Sequence, residues 1–204
     1  MTQSKVPSSQ TTEVEVKASA AVKVWDPLVR LFHWTIVGGF FLNRFVFTDN
    51  RLVHRYIGYA IVCAILMRLI WGFVGTRYAR FSSFVPNLRQ LLTYLGKLMR
   101  GQEPRYLSHN PAGAVMMLAL VVLMLGLGVT GWMSELDAFW GAEWLENLHE
   151  LLANTVLGLA VLHVVAAVIE SVRHKENLIK SMITGFKRSP KGTDIDHEHT
   201  SHRG

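Results

Sequence analysis

The sequence predicts an all-α protein: an integral-membrane four-helix up-and-down bundle with an amphipathic interfacial helix in its longest loop. Three observations predict it. Half of the 204 residues are hydrophobic and only 18% are charged. The hydrophobic residues collect in four runs, about 29–47, 53–75, 112–133 and 148–170, each close to the ~20 residues that a helix needs to cross a bilayer. None of the runs alternates apolar and polar residues as a half-buried strand does.

The elements follow in order. Residues 1–24 are polar and contain no long apolar stretch, so they read as a disordered tail and not as a cleavable leader. The first two runs, 29–47 and 53–75, are joined by a short loop and read as a helical hairpin. Cys63 lies in the second; as a single cysteine it makes no internal disulfide and reads as a small buried apolar residue. In the following loop, "FVPNLRQLLTYLGKLMRG" repeats leucine at helical spacing (Leu88, Leu91, Leu92, Leu95, Leu98) after Pro86. It predicts an amphipathic helix over about 86–100, lying along the membrane surface. The third run, "AGAVMMLALVVLMLGLGVTGWM", has no polar face to offer water, which argues against a soluble bundle. Its "GLGVTG" fits a dinucleotide-binding glycine pattern but ends a helix where that pattern must open one. Gly126, Gly128 and Gly131 therefore read as a packing surface. Residues 189–204, with His197, His199 and His202, read as a second solvated tail. The ordered unit is 25–188.

Lysine and arginine set the orientation. Both tails and the 76–111 loop are basic, while the 134–147 loop carries Glu135, Asp137, Glu143 and Glu146 and no Lys or Arg. The termini and the long loop are expected in the cytoplasm and the acidic loop on the far side. Arg44, Arg51 and Arg55 in the first hairpin point weakly the other way. The net charge of +6 is that of cytoplasmic loops, and no nucleic-acid partner is expected.

"LHELLANTVLGLAVLH" places His149 and His163 fourteen residues apart in one apolar helix, about 21 Å along its axis and on nearly the same face. Given the alternating helix directions, His54 falls at the depth of His149 near the outer surface, and His33 at the depth of His163 near the inner one. Each pair draws on two helices. That arrangement suits two flat macrocycles held edge-on, each iron taking an imidazole from either side. Arg68, fourteen residues after His54, is level with the inner pair and suits a haem propionate, or else snorkels to the headgroups. Gly58 and Gly158 lie where a ring approaches backbone; small residues also serve ordinary helix packing.

"VWDPLVRLFHW", "HRYIGYAIVCAILMRLIWGFVGTRYARF", "YLSHNPAGAVMM", "LHELLANTVLGLAVLH" and "SMITGFKR", in this order, resemble the bacterial cytochrome b561 / nickel-hydrogenase b-type cytochrome family. The resemblance spans about 24–188. It implies two haem b groups held by bis-histidine ligation, with His33, His54, His149 and His163 as ligands. His109, in "HNPAG", falls outside that set and reads as a helix-entry or surface residue; His174 lies in the basic flank.

Iron held by two histidines has no open coordination position, which favours electron transfer. The expected role is electron passage across the bacterial inner membrane between a periplasmic c-type cytochrome or hydrogenase-type subunit and the quinone pool. A homo-oligomer stays open. Two other readings stand beside it. A superoxide:quinone oxidoreductase of similar architecture needs a cationic outer funnel; the acidic loop argues against it and the three hairpin arginines leave it open. A metal-ion transporter needs acidic residues within the apolar runs, and the first three have essentially none.

Overall fold

The computed structural model describes residues 21–190 and 194–195. Their order is β1 (Val22–Lys23), α1 (Pro27–Phe45), α2 (Arg51–Val74), α3 (Leu88–Met99), α4 (Pro111–Met133), α5 (Glu143–Arg173), α6 (Leu178–Thr184) and β2 (Phe186–Lys187). The protein is mostly helical. Helices α2, α4 and α5 are long and apolar enough to cross a membrane. At most 28% of the apolar window of any of them is buried inside the protein. A surface this apolar needs lipid and not water around it.

Helix α1 is shorter and interrupted by Arg30, His33 and Arg44. It packs along α2, α4 packs along α5, and α2 joins the two hairpins through α4. Ile61 and Ile65 of α2, Met124 of α4 and Val156 of α5 form the central core. We call the end that carries the α1–α2 and α4–α5 loops the outer end. Trp132, Trp140 and Trp144 are exposed there, and Trp34 is exposed toward the opposite, inner end, as in the aromatic belts of membrane proteins.

Local chemistry fixes the helix ends. Asp26 accepts from the Val29 backbone at 2.9 Å and Pro27 occupies the first turn of α1. The other Asp26 oxygen accepts from Trp71 Nε1 at 3.0 Å and from Thr76 Oγ1 at 2.6 Å, tying the start of α1 to the end of α2. Burial pushes this carboxyl up, but the hydrogen bonds from Thr76, Trp71 and the first-turn backbone outweigh it and hold the group below its ordinary value. Asn87 and Gln90 form a reciprocal capping box on α3. Helix α5 extends beyond the apolar run of 148–170 at both ends. Glu143 and Glu146 in its first turn and Arg173 in its last complement the helix dipole, so polar turns continue the helix past the apolar run.

Two features depart from the expected all-α plan. β1 pairs antiparallel with β2, Val22 opposite Lys187 and Lys23 opposite Phe186. Gly185 precedes the pairing with φ 89°, and a Cβ there would lie 2.8 Å from the Trp25 carbonyl oxygen, so only glycine fits. Residues 22–24 are thus paired or buried, although they fall inside the predicted tail. Ile195 bridges to Tyr106. Residues 1–20, 191–193 and 196–204 of the two predicted tails, with His197, His199 and His202, lie outside the described residues. Cys63, expected to be buried, is exposed on the surface of α2: in a lipid-facing helix an apolar side chain need not face the interior.

Arg105 anchors the inner end. It donates to both Glu176 oxygens at 2.8 and 3.0 Å, to Asp194 at 2.7 Å and to the Arg188 carbonyl at 2.8 Å. Its side chain is only 4% exposed and that of Glu176 8%. Removing one partner of a buried ion pair strands the other charge, at about 3–5 kcal/mol. Arg105→Ala is therefore expected to destabilise the detergent-solubilised protein by about 3 kcal/mol or more. Thermal and denaturant unfolding followed by circular dichroism measures it.

Candidate functional site

The four predicted histidines sit on three helices and are half-buried. His33 lies on α1, His54 on α2, and His149 and His163 on α5. The structure brings them together two by two. The His54 and His149 ring centroids are 6.3 Å apart with the planes inclined at 57°. His33 and His163 are electrostatic neighbours at the inner end. Neither α1 nor α2 is among the close packing partners of α5, so paired rings face each other across a gap between helices.

At the outer pair the gap is a cavity of about 480 Å³, lined by His54, His149, Gly58, Gly128 and Gly131, with Arg44, Arg51 and Arg55 toward its mouth. Cofactor sites commonly span ~300–1,000 Å³. A Cβ added at Gly131 would meet the His149 ring at 3.4 Å, and one at Gly58 would project toward Asn43 at 3.9 Å. Glycine at both places keeps the walls clear beside the histidines. Gly128 serves helix packing, since a Cβ there would fall 2.4 Å from Val62.

The donor set suits iron. Imidazole nitrogens ligate a transition metal at about 2 Å, and with about 1 Å from nitrogen to ring centre on each side, two axial rings come to rest about 6 Å apart. The 6.3 Å separation fits a metal between them. His149 is also oriented for the task. Its Nδ1 lies 2.8 Å from Thr130 Oγ1. The Thr130 hydroxyl also reaches the Gly126 carbonyl at 2.9 Å and the Leu127 carbonyl at 3.1 Å; donating to either, it leaves its oxygen to accept a proton from Nδ1. That tautomer leaves Nε2 with a free lone pair. His54 Nδ1 is buried with no partner among the described residues.

The arginines that weakly contradicted the orientation rule in the sequence line this cavity. Arg55 pairs with Glu135, and Arg44 donates to Asn154 at 3.1 Å. Their positive charge is thus engaged at the cavity wall and with the α4–α5 segment.

At the inner end Arg68 is 8% exposed. Its guanidinium lies 5.1 Å from the Phe81 ring centre, and its Nη1 has no hydrogen-bond partner among the described residues. It does not snorkel. His109 is not at the surface either. Its ring packs edge-on to Trp25 at 4.9 Å and against Phe84 at 4.7 Å, and its Nδ1 is sealed from solvent without a partner. Glu170, one turn from His174 and two turns from His163, accepts from Tyr94 at 3.0 Å and from Asn110 at 3.1 Å and pairs with His174 at 3.0 Å. The sequence reading missed Thr130, Lys187 and the burial of His109. A Thr at i−19 from a histidine on another helix carries no local signal, and Lys187 looks like one more basic flank residue.

The apolar helices define a class, a helical membrane protein, and the facing imidazoles suit a metal-bearing group between helices. Residues 24–185 match the prokaryotic cytochrome b561 family, and the chain belongs to it. It is thus a b-type cytochrome of the membrane, a haem b protein with an electron-transfer role. It is similar to the probable Ni/Fe-hydrogenase B-type cytochrome subunit of Rhodobacter capsulatus, 23% identical over 84% of this chain and 83% of the relative. The corresponding protein of Azotobacter vinelandii is 24% identical over 85% and 91%. The probable Ni/Fe-hydrogenase 1 B-type cytochrome subunit of Escherichia coli K12 is 24% identical over 80% and 89%. No solved structure matches the chain.

Thr130→Val keeps the shape and removes the acceptor for His149 Nδ1. Loss of such an outer partner typically costs about 10–100-fold in metal-site affinity or activity. The variant is expected to release haem from the outer pair at least tenfold faster than the parent. Transfer of pigment to a haem scavenger, followed in the visible spectrum, measures it.

Proposed function

We propose that the chain is a diheme electron carrier that crosses the bacterial inner membrane four times and passes electrons between a periplasmic hydrogenase-type subunit or c-type cytochrome and the quinone pool. The observation that carries this reading is the facing pair His54 and His149, 6.3 Å apart beside the 480 Å³ cavity, with the Thr130 hydroxyl 2.8 Å from His149 Nδ1. In this reading His54 and His149 hold the outer haem b, and His33 and His163 the inner one. Haem iron held by these imidazoles would supply a reversible one-electron change of oxidation state, which suits electron transfer over oxygen chemistry.

The protein's own groups do the rest. The two rings of α5 set the spacing of the groups along the membrane normal at about 21 Å. Arg44, Arg51 and Arg55 surround the outer cavity, and Arg68 faces the inner pair; these cations suit carboxylate side chains on the macrocycles. In this reading α1 is the fourth span, tilted and held by α2, with the termini in the cytoplasm and α3 along the inner surface. Exposed Leu88, Leu92 and Met99 on α3 support that placement. The acidic 134–147 segment, with exposed Trp140 and Trp144, offers a face for a basic periplasmic partner. The hydrogenase assignment draws on the names of the relatives in Rhodobacter, Azotobacter and Escherichia.

One observation favours a second reading. Three arginines line the outer cavity, the cationic lining that a superoxide:quinone oxidoreductase needs. Glu135, Glu146 and Glu150 line the same cavity and Arg55 is neutralised by Glu135, which leaves the carrier as the better account.

Single alanine replacements test the assignment. Purified parent is expected to hold two haems per chain by the pyridine haemochrome assay. His33→Ala, His54→Ala, His149→Ala and His163→Ala are each expected to retain about half of that pigment. Full pigment in any of the four excludes that residue as a ligand. Reduction of the parent by quinol but not by superoxide separates the carrier from the oxidase.

A further inference from the structure

At the inner end two buried cations, Arg68 and Lys187, stand outside the ion pairs that hold Arg105 and Arg173. Lys187, on the C-terminal strand β2, is 6% exposed, and its ammonium lies 5.5 Å from the Trp25 ring centre. The opposite side of the cluster is Arg68 over Phe81. Between them His109 packs on Trp25 and Phe84, and Phe84 packs on Phe81 at 5.9 Å. His109, at the α4 entry, thus has Arg68 of α2, Lys187 of β2 and the inner histidine pair, His33 and His163, all within electrostatic range.

The nearest carboxylates are already engaged. Asp26, the acidic neighbour of Arg68, accepts from Val29, Trp71 and Thr76. Glu176, near Lys187, is held by Arg105 and by the Arg188 backbone. Glu170 is held by Tyr94, Asn110 and His174. Arg68 Nη1 and His109 Nδ1 stay buried without a partner among the described residues. A buried donor left unsatisfied costs about 1–3 kcal/mol, and more when charged, so two of them beside a buried lysine call for an acceptor. Burial first, and then Lys187 and Arg68, push His109 down to about 3, and burial pushes Lys187 down to about 8 against the pull of Glu176 and Glu170.

We propose that His109 and Lys187 join Arg68 in a three-point clamp for the carboxylate side chains of the inner haem, so that docking of the C-terminal strand β2 on β1 closes the inner haem site. The proposal rests on the diheme reading above. It gives the "GFKR" turn and strand a role in cofactor retention.

The test uses the full-length protein loaded with haem, with the inner haem identified as the one lost in His163→Ala. His109→Phe keeps an aromatic ring between Trp25 and Phe84 and removes the donor. Lys187→Met keeps the aliphatic stem and removes the charge. Each is expected to release the inner haem to a scavenger roughly tenfold faster and to move the inner haem, but not the outer, to lower potential in a spectroelectrochemical titration. His109→Gln, which keeps an N–H, is expected to lie near the parent. Unchanged release and potentials in both Lys187→Met and His109→Phe overturn the clamp, as does equal loss of both haems in every variant, which marks a packing role. Should His109→Phe fail to fold, Lys187→Met alone decides. A parent that binds fewer than two haems fails the diheme reading instead, independently of these variants.

Discussion

Helix α5 is supported on one side. It packs on α4, and across its other face stand the rings of α1 and α2 that its own His163 and His149 approach. Most of the architecture follows from holding that face apart while keeping it in register. The two hairpins meet through α2 and α4, with Ile61, Ile65, Met124 and Val156 as the only shared core among the described residues that reaches α5. At the inner end Asp26 fastens α1 to α2, and Arg105 fastens the long loop to the segment after α5. The apolar outer surfaces need no protein partner because lipid covers them. The gap cannot be covered by lipid in the same way, since imidazoles, buried arginine and orphaned nitrogens line it. It asks for a flat group with an apolar body, a metal centre and acidic edges.

The sequence places the four histidines by depth and face alone. The ~20-residue length of the runs fixes depth, and helical spacing fixes face. Four imidazoles at two depths were therefore visible as two pairs. Length and composition also showed the long helices, although α5 begins five residues before its apolar run because Glu143 and Glu146 favour the positive end of a helix.

What sequence did not reveal depends on contacts between distant segments. Thr130 reads as one more small residue in an oily helix until its hydroxyl is seen beside His149. Lys187 reads as a flanking cation until β2 folds back on β1 and buries it. His109 looked like a helix-entry residue; it does precede α4, but its ring is wedged between Trp25 and Phe84. Cys63 shows the converse error. In a membrane protein hydrophobicity marks contact with lipid as often as contact with the core, so its apolar setting said nothing about its exposure. The hairpin arginines likewise line the outer cavity, a role that a count of loop charges does not reveal.

The account stands on iron held between side chains of different helices. The most direct measurement is an experimental structure of the pigment-bearing protein in a lipid nanodisc, with the iron positions read from the density. The account predicts two irons about 21 Å apart along α5, one between His54 and His149 and the other between His33 and His163. A single iron, or irons ligated by any other residue, contradicts it.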